Sequence, residues 1–322
     1  MMGGRSIGRV LLVVICWANM NSSAAEGRGG LTNAALGEVV AAAVSGARGQ
    51  FPKLKEDQIA VTLVEMSGPL RPVGASYRGA VGIYPASVIK LFYLAAAHAW
   101  MEDGRVAETA ELRRALSDMI VHSSNDATHY VIDVLTGTTS GPELPDEELT
   151  VWQEKRNAVN RHFAGLGYTG INVNKKPWGD GPYGRETQAM RAFQPNRNLL
   201  TTEAAARLLV EMVAGRCVTA ERSAAMMALL KRDPFDAKRS DPDDQAKFTG
   251  VALPPGAKLW SKAGWTSRTR HDAAYVELAD GRKFALVVFT EGHANERGII
   301  PAVARGVMER LQSGGAVPVP PR

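Results

Sequence analysis

A serine and a lysine are separated by two residues at the start of a long apolar run. A helix through Ser87-Val-Ile-Lys90 would place the hydroxyl and the amine on one face. Ser87 follows Tyr84-Pro85-Ala86, at the expected mouth of the helix, where backbone amides and the helix dipole favour negative charge. Burial of Lys90, the only charge in the run, would lower its pKa and suit it to deprotonate a serine. The pair therefore indicates nucleophilic acyl transfer, with a capping serine and a solvent-reaching lysine as the alternative.

Two more groups of polar residues follow along the chain. Ser123 and Asn125 fall between two predicted helices, where such residues would ordinarily cap the second helix. Lys262 ends a predicted strand, and Gly264 shortly after it lets another segment approach the backbone closely. Each group has an ordinary structural explanation by itself, so the functional interpretation depends on the three groups occurring together.

In this order, the Ser-x-x-Lys, Ser-x-Asn and Lys-x-Gly groups resemble the signature of penicillin-recognising serine enzymes of the class A β-lactamase-like kind. The resemblance spans roughly residues 32–313. It implies a serine hydrolase that acts through a covalent acyl-enzyme on a small β-lactam or peptidoglycan-like molecule. Hydrolysis of β-lactam antibiotics, with resistance or β-lactam catabolism as the biological setting, is the leading interpretation. A D-Ala-D-Ala carboxypeptidase or esterase of the same fold, and a non-catalytic β-lactam sensor, are the alternatives.

The resemblance also implies a role for each matching residue. Ser87 would be the acylated nucleophile, Lys90 its proton acceptor, and Ser123 the group that passes a proton to the departing amine. The backbone N–H groups of Ser87 and Trp265 would form an oxyanion hole. The residues implied in substrate binding are Asn125, Lys262, Gly264, Trp265 and Thr266.

The sequence departs from the family pattern in places. Ala263 stands where a hydroxyl residue is usual, and fewer residues than usual separate the first two motifs, which indicates a divergent branch. Glu186 is the candidate for the carboxylate that activates the hydrolytic water, but the usual Glu-x-x-Leu-Asn does not follow it. A surface Glu186 paired with Arg185 or Arg191 is the alternative. Without a water activator, the acyl-enzyme would be long-lived.

Other polar residues near the third motif are ambiguous. Arg268, Arg270 or His271 could reach a substrate carboxylate, or they could be solvated hairpin residues. The six histidines include no closely spaced cluster, so the sequence predicts neither a metal site nor a cofactor.

The elements that must position these residues follow from hydrophobic periodicity. The order of helix, two strands, a long helical segment, three strands and helix predicts an α/β (α+β, two-lobed) fold. We expect a five-stranded antiparallel sheet flanked by the terminal helices, together with an all-helical lobe. Predicted helices cover 32–48, 87–101, 109–121, 125–136, 146–166, 201–214, 219–231 and 295–312, and predicted strands cover 59–66, 73–77, 258–262, 272–278 and 283–290.

These elements predict one enzyme domain over residues 26–314. Its sheet lobe would comprise about 32–84 and 257–313, and its helical lobe about 85–256. The proline-rich and charged stretch 233–256 reads as an exposed connection, and the proline-rich end 315–322 as a disordered tail.

The beginning of the chain has the features of an exported protein. Arg5 and Arg9 precede a short apolar run and small residues ending at Ala25, which predicts a cleaved signal peptide over 1–25 and a periplasmic or secreted enzyme. A membrane anchor is the alternative, although the run is shorter than a spanning helix needs. Cys217 alone would remain, so no internal disulfide is expected. Interspersed charges and a net charge of +5 predict no nucleic-acid binding. We expect a monomer without stable membrane association once the signal peptide is removed.

Overall fold

The computed structural model describes residues 33–67, 72–238 and 240–312. The predicted signal peptide over 1–25 and the predicted tail over 315–322 lie outside the described residues. The described part contains ten α-helices: α1 Asn33–Gln50, α2 Lys90–Glu102, α3 Ala110–Val121, α4 Asn125–Thr136, α5 Asp146–Arg156, α6 Ala158–Gly165, α7 Arg185–Ala192, α8 Thr202–Val213, α9 Ala220–Leu230 and α10 Ile299–Gln312.

One antiparallel sheet crosses the fold, with strand order β2-β1-β6-β5-β4-β3. Strands from both ends of the sequence pair in its middle, as predicted. The sheet has six strands rather than the predicted five, because a two-residue strand directly after α9 pairs with β4. So short a strand has no alternation from which it could be predicted. The strands are β1 Ile59–Glu65, β2 Val73–Tyr77, β3 Lys231–Arg232, β4 Lys258–Trp265, β5 Thr269–Glu277 and β6 Lys283–Glu291.

Alternate residues of the central strands enter two separate hydrophobic cores. Ala273 of β5 and Phe289 of β6 pack in one core with α2, α3, α4 and α8. Ala274 and Val288, on the opposite face, pack in the other core with the terminal helices α1 and α10. Both faces of the sheet are therefore covered, and buried strands on both faces explain the near-continuous apolar runs.

Helix α2 fixes the position of the first motif because all its residues from Lys90 to Met101 are buried. A short 3-10 turn, Ala86–Ile89, precedes it and contains Ser87. The predicted long helix over 146–166 is instead two helices that meet at Asn157. Helix α7 was not predicted, since its first and last turns carry no side-chain cap and only two of its residues are buried.

The stretch 233–256 differs from its prediction as an exposed connection. It forms two 3-10 turns, Gln245–Lys247 and Thr249–Ala252, and Phe248 between them is fully buried. Because prolines and charges dominate the sequence of this stretch, the sequence does not reveal the segment that packs against the sheet. This segment therefore brings additional residues to the site described below.

A bilayer-crossing helix would have to be long and continuously apolar. In the ranges that the structure describes, no helix meets that requirement.

Candidate active site

Ser87 lies in a tight turn that packs against the end of β4. The turn is held by a hydrogen bond from Val88 N to Pro85 O of 3.1 Å, and Ala86 adopts a positive φ of 45°. A non-glycine residue in this region carries backbone strain, which is often found at functional sites. Ser87 is half-buried, and the described residues make no hydrogen bond to its hydroxyl. The hydroxyl is therefore available to a reacting molecule.

Lys90, one turn further along, is completely buried and points towards the second motif. Its Nζ donates to Ser123 O at 2.6 Å and to Asn125 Oδ1 at 2.8 Å, and it lies 3.3 Å from Ser123 Oγ. Burial lowers the pKa of Lys90 to about 7. A large fraction of this amine is therefore neutral near neutral pH and able to accept a proton.

In the second motif, the two adjacent serines make different contacts. Ser124 caps α4, because its Oγ accepts from Ala127 N at 3.1 Å. Ser123 adopts a positive φ of 55° and directs its side chain to the lysines. The capping expected for this motif is thus made by Ser124, which leaves the Ser123 hydroxyl for chemistry.

Lys262 of β4 approaches the same hydroxyl from the sheet. Its Nζ donates to Ser123 Oγ at 3.0 Å, to Gln245 Oε1 at 2.6 Å and to Ala263 O at 2.7 Å. Burial and the nearby charge of Lys90 hold the pKa of Lys262 well below its usual range. Lys90, Ser123 and Lys262 therefore meet in one hydrogen-bonded cluster.

Gln245 is a member of this cluster that the sequence analysis missed. Its Nε2 donates to Ile120 O at 3.0 Å and Val121 O at 2.9 Å, which joins Lys262 to the end of α3. It lies in the stretch interpreted as an exposed connection. The only signal that could have located it is the pair of apolar residues Ala246 and Phe248 on either side of Lys247, which is weak.

The backbone of Gly264 lies directly beside the Ser87 turn. A β-carbon at Gly264 would lie 2.6 Å from Ser87 N and 2.9 Å from Pro85 O, closer than real contacts allow. Trp265, the next residue, is 37 % exposed and contacts Phe248 with ring centroids 5.6 Å apart. Glycine at this position therefore permits the end of β4 to meet the serine turn.

Three of the other predicted binding residues are engaged in structural contacts. The Thr266 hydroxyl accepts from Arg268 N and Thr269 N, both at 3.1 Å, within the β4–β5 turn. Arg270 is buried over the Phe248 ring and pairs with Asp243 at 2.7 Å. His271 is also buried, and burial lowers its pKa to about 4. Arg268 is exposed.

Glu186 is buried in a polar network rather than paired with Arg185 or Arg191. Arg156 donates to both of its carboxylate oxygens, at 2.5 and 3.3 Å, and Ser140 donates to one at 2.9 Å. The surface-pair alternative for Glu186 is therefore wrong. In the described residues, no hydrogen bond joins Glu186 to the cluster around Ser123.

The same network includes further charges. Arg156 also contacts Asp133 at 3.3 Å, and Lys176 Nζ donates to Asp133 at 2.7 Å and to Ser140 at 2.8 Å. These contacts tie α4, α5 and α7 to the loop that contains Lys176. Among the described residues, no group of three or more His, Cys, Asp or Glu side chains is arranged to hold a metal ion.

The antiparallel sheet, the helices on both of its faces and the serine–lysine cluster together define the β-lactamase/transpeptidase fold. The profile of the Beta-lactamase enzyme family matches residues 100–311, which is more than half of the chain. The chain therefore belongs to the Beta-lactamase enzyme family. The matched range includes Ser123 and Lys262 and begins after Lys90. The family resemblance stated from the motifs is thereby confirmed. The comparison with curated proteins gives no match.

Solved structures share this fold at low sequence identity, as expected for a divergent branch. A beta-lactamase from Sphaerobacter thermophilus has a TM-score of 0.60 at 21% identity, over 87% of this chain and 98% of that chain. A PBP-A mutant in an acyl-enzyme complex with penicillin G has a TM-score of 0.62 at 15% identity, with 85% and 96% covered. A class A beta-lactamase from Bacteroides cellulosilyticus has a TM-score of 0.60 at 16% identity, with 88% and 100% covered.

Proposed function

We propose that this protein is a serine hydrolase that opens the amide of β-lactam molecules through a covalent ester on Ser87. The observation that carries this proposal is the position of Ser123 Oγ, 3.3 Å from Lys90 Nζ and 3.0 Å from Lys262 Nζ. Lys90 begins the helix that directly follows the turn containing Ser87. Such a cluster supplies a base, a proton relay and positive charge around one nucleophile.

Acylation requires a base for the Ser87 hydroxyl. The Ser87 oxygen adds to the amide carbonyl carbon while its proton passes to the neutral amine of Lys90. A pKa of about 7 suits Lys90 for this step, because proton transfer is most efficient when the base titrates near the working pH. The apolar helix that buries Lys90 is the physical source of that pKa.

Ser123 then completes the cleavage of the C–N bond. Its oxygen lies within reach of both lysine amines, which are hydrogen-bond donors when protonated, so its own proton is directed elsewhere. That proton passes to the departing nitrogen as the bond breaks. Protonated Lys90, at 3.3 Å, returns a proton to Ser123.

Substrate binding follows from the remaining members of the site. Asn125 accepts from Lys90 through Oδ1, and its amide N–H groups would donate to a substrate carbonyl. A substrate carboxylate beside Lys262 would raise its lowered pKa and be held as an ion pair. The backbone N–H groups of Ser87 and Trp265 would stabilise the oxyanion, with Gly264 allowing their approach.

Mass spectrometry of the purified protein after addition of benzylpenicillin tests the proposal. We expect a penicilloyl adduct on wild type and none on Ser87→Ala. Ser124→Ala is the matched control. It removes the hydroxyl next to Ser123 that caps α4, and it should leave the adduct in place. Absence of both an adduct and hydrolysed penicillin with folded wild type would contradict the proposal.

A second candidate function, a D,D-peptidase or β-lactam sensor, is favoured by the contacts of Glu186. A water-activating carboxylate must reach the ester, whereas both Glu186 oxygens accept from Arg156 in a buried ion pair. The PBP-A mutant with a similar fold is itself described as an acyl-enzyme with penicillin G. The time course decides between the two functions: an adduct that disappears as product accumulates indicates a β-lactamase, and a persistent adduct indicates the second candidate.

The proposed setting is the periplasm or the extracellular medium, where β-lactams and peptidoglycan-like peptides are encountered. The signal-peptide features of residues 1–25 support this part of the proposal. We propose that the protein acts there as a monomer without a cofactor. Size-exclusion chromatography with light scattering would test the oligomeric state.

A further inference from the structure

We infer that His271 is a positioning residue that holds the Ser87 turn against the sheet in the geometry needed for acylation. The inference rests on the proposed function, because it concerns the same nucleophile. His271 does not touch the reacting atoms. Its contacts join strand β6, strand β5 and the segment immediately before Ser87.

The hydrogen bonds of His271 define its tautomer. Thr290 N donates to His271 Nδ1 at 3.1 Å, so Nδ1 must carry a lone pair. The proton of the neutral ring therefore lies on Nε2, which donates to Tyr84 O at 2.9 Å. The ring is fully buried and packs against Phe289, with ring centroids 4.6 Å apart.

The strand register places His271 where it can act together with Gly264. These two residues are cross-strand partners in the β4–β5 ladder. Gly264 gives the Ser87 turn room to approach, and His271 holds the same turn through the carbonyl of Tyr84, three residues before Ser87. One cross-strand pair thus supplies both the space and the tether.

The turn needs a tether because its conformation is not the relaxed one. Ala86, between Tyr84 and Ser87, has a φ of 45°. A residue in this region returns to a commoner conformation unless its surroundings hold it. Release of Tyr84 O would let the turn relax and displace the Ser87 oxygen and backbone N–H. A displacement of about 1 Å can reduce a rate by about a hundredfold.

Two amide variants distinguish the hydrogen bond to Tyr84 O from the other contacts of the His271 side chain. His271→Gln places an amide nitrogen near the position of Nε2, and so can still donate to Tyr84 O. His271→Asn places its amide near Nδ1, keeps the bond from Thr290 N and cannot reach Tyr84 O. The measurement is the rate of Ser87 acylation by benzylpenicillin at saturation and the concentration for half-maximal rate, with the thermal unfolding midpoint of each variant.

We expect acylation by His271→Asn to be about tenfold to a hundredfold slower than wild type at an unchanged half-saturating concentration. His271→Gln should stay within about threefold of wild type, at an unfolding midpoint similar to that of the Asn variant. Equal rates for the two variants, or rates that follow the unfolding midpoints, would overturn the inference. Failure of wild type to be acylated would overturn the proposed function instead.

A measurement on wild type covers the case in which neither variant folds. The assigned nitrogen-15 NMR signals of His271 at pH 6 should be those of a neutral ring with its proton on Nε2 and slow hydrogen exchange. The inference requires this tautomer, since only Nε2–H can donate to Tyr84 O. A charged ring, or a proton on Nδ1, at His271 would contradict it.

Discussion

Two clusters of charged side chains lie near opposite ends of helix α4, and the cations in them have different kinds of partner. At the start of the helix, Lys90 and Lys262 meet at Ser123, and the described residues give them only neutral hydrogen-bond acceptors. Further along the helix, buried cations are paired with carboxylates. The members of this ion-pair network are Asp133, Arg156, Lys176 and Glu186.

The difference distinguishes the proposed reactive site from a structural one. Lysine amines without an anionic hydrogen-bond partner lose protons easily when buried, as the lowered pKa values of Lys90 and Lys262 indicate. The Asp272 carboxylate raises the pKa of Lys262 but does not outweigh the effect of burial. An arginine buried against two carboxylates fixes the segments that contribute to the network. The lysine cluster is therefore suited to proton transfer, and the ion-pair network to holding α4, α5 and α7 together.

The largest expected effect comes from breaking the ion-pair network. Arg156→Met leaves Glu186 buried without its main partner, and we expect the free energy of unfolding to fall by about 3–5 kcal/mol. Lys262→Met is the matched variant, because the hydrogen-bond partners that it leaves are neutral, and it should cost below about 2 kcal/mol. Urea denaturation at pH 7 measures both. Equal losses would show that the two clusters do not differ in this way.

The next effect is the pH dependence of acylation. The neutral amine of Lys90 is the proposed base, and burial lowers its pKa to about 7. The neutral fraction therefore rises with pH, so the rate should increase about tenfold per pH unit below 7 and level off above it. Stopped-flow acylation between pH 5 and 9 would measure this profile.

Lys90→Met is the control for the pH profile. Its residual acylation should lose the rise through pH 7, since no other group is proposed as the base. A flat profile for wild type, or an unchanged rise in the variant, would remove Lys90 from its proposed role. Circular dichroism at each pH excludes unfolding as the cause.

The smallest effect tests the neutral partner of Lys262. Gln245→Ala removes the 2.6 Å hydrogen bond to Lys262 Nζ but leaves the bonds to Ser123 and Ala263. A bond to a charged group of about 1.5 kcal/mol predicts a tenfold higher KM for a β-lactam that carries a carboxylate. A reactive ester without a carboxylate should be acylated with unchanged KM. An equal rise in KM for both molecules would show that Gln245 supports the structure of the site in general rather than the binding of an anion.

Most of the fold could be predicted because long helices and strands show a clear hydrophobic periodicity in the sequence. The buried helix after Ser87, the central strands and the terminal helices all appear in the sequence as apolar patterns. Strand β3 and helix α7 could not be predicted, since one has two residues and the other is mostly polar. The buried part of 233–256 was missed because prolines and charges surround its few apolar residues.

The candidate site could be predicted in its residue types but not in its contacts. The motifs identified Ser87, Lys90, Ser123 and Lys262, and the structure brings the last three together. The partner of Glu186 was not one of the neighbouring arginines but Arg156, 30 positions away. Local sequence favours near neighbours, whereas the buried partner is selected by how α5 and α7 pack.

The sequence by itself determined which groups can react and which elements carry them, because side-chain chemistry and hydrophobic period belong to short stretches of chain. Only the tertiary structure decided which groups are hydrogen-bonded to one another and which are held in buried ion pairs. Lys262 and Ser123 are 139 positions apart, and His271 and Tyr84 are 187 apart. Contacts over such separations exist only after the sheet and helices have packed, and the same packing excludes the water that would otherwise hold the pKa of Lys90 at its ordinary value.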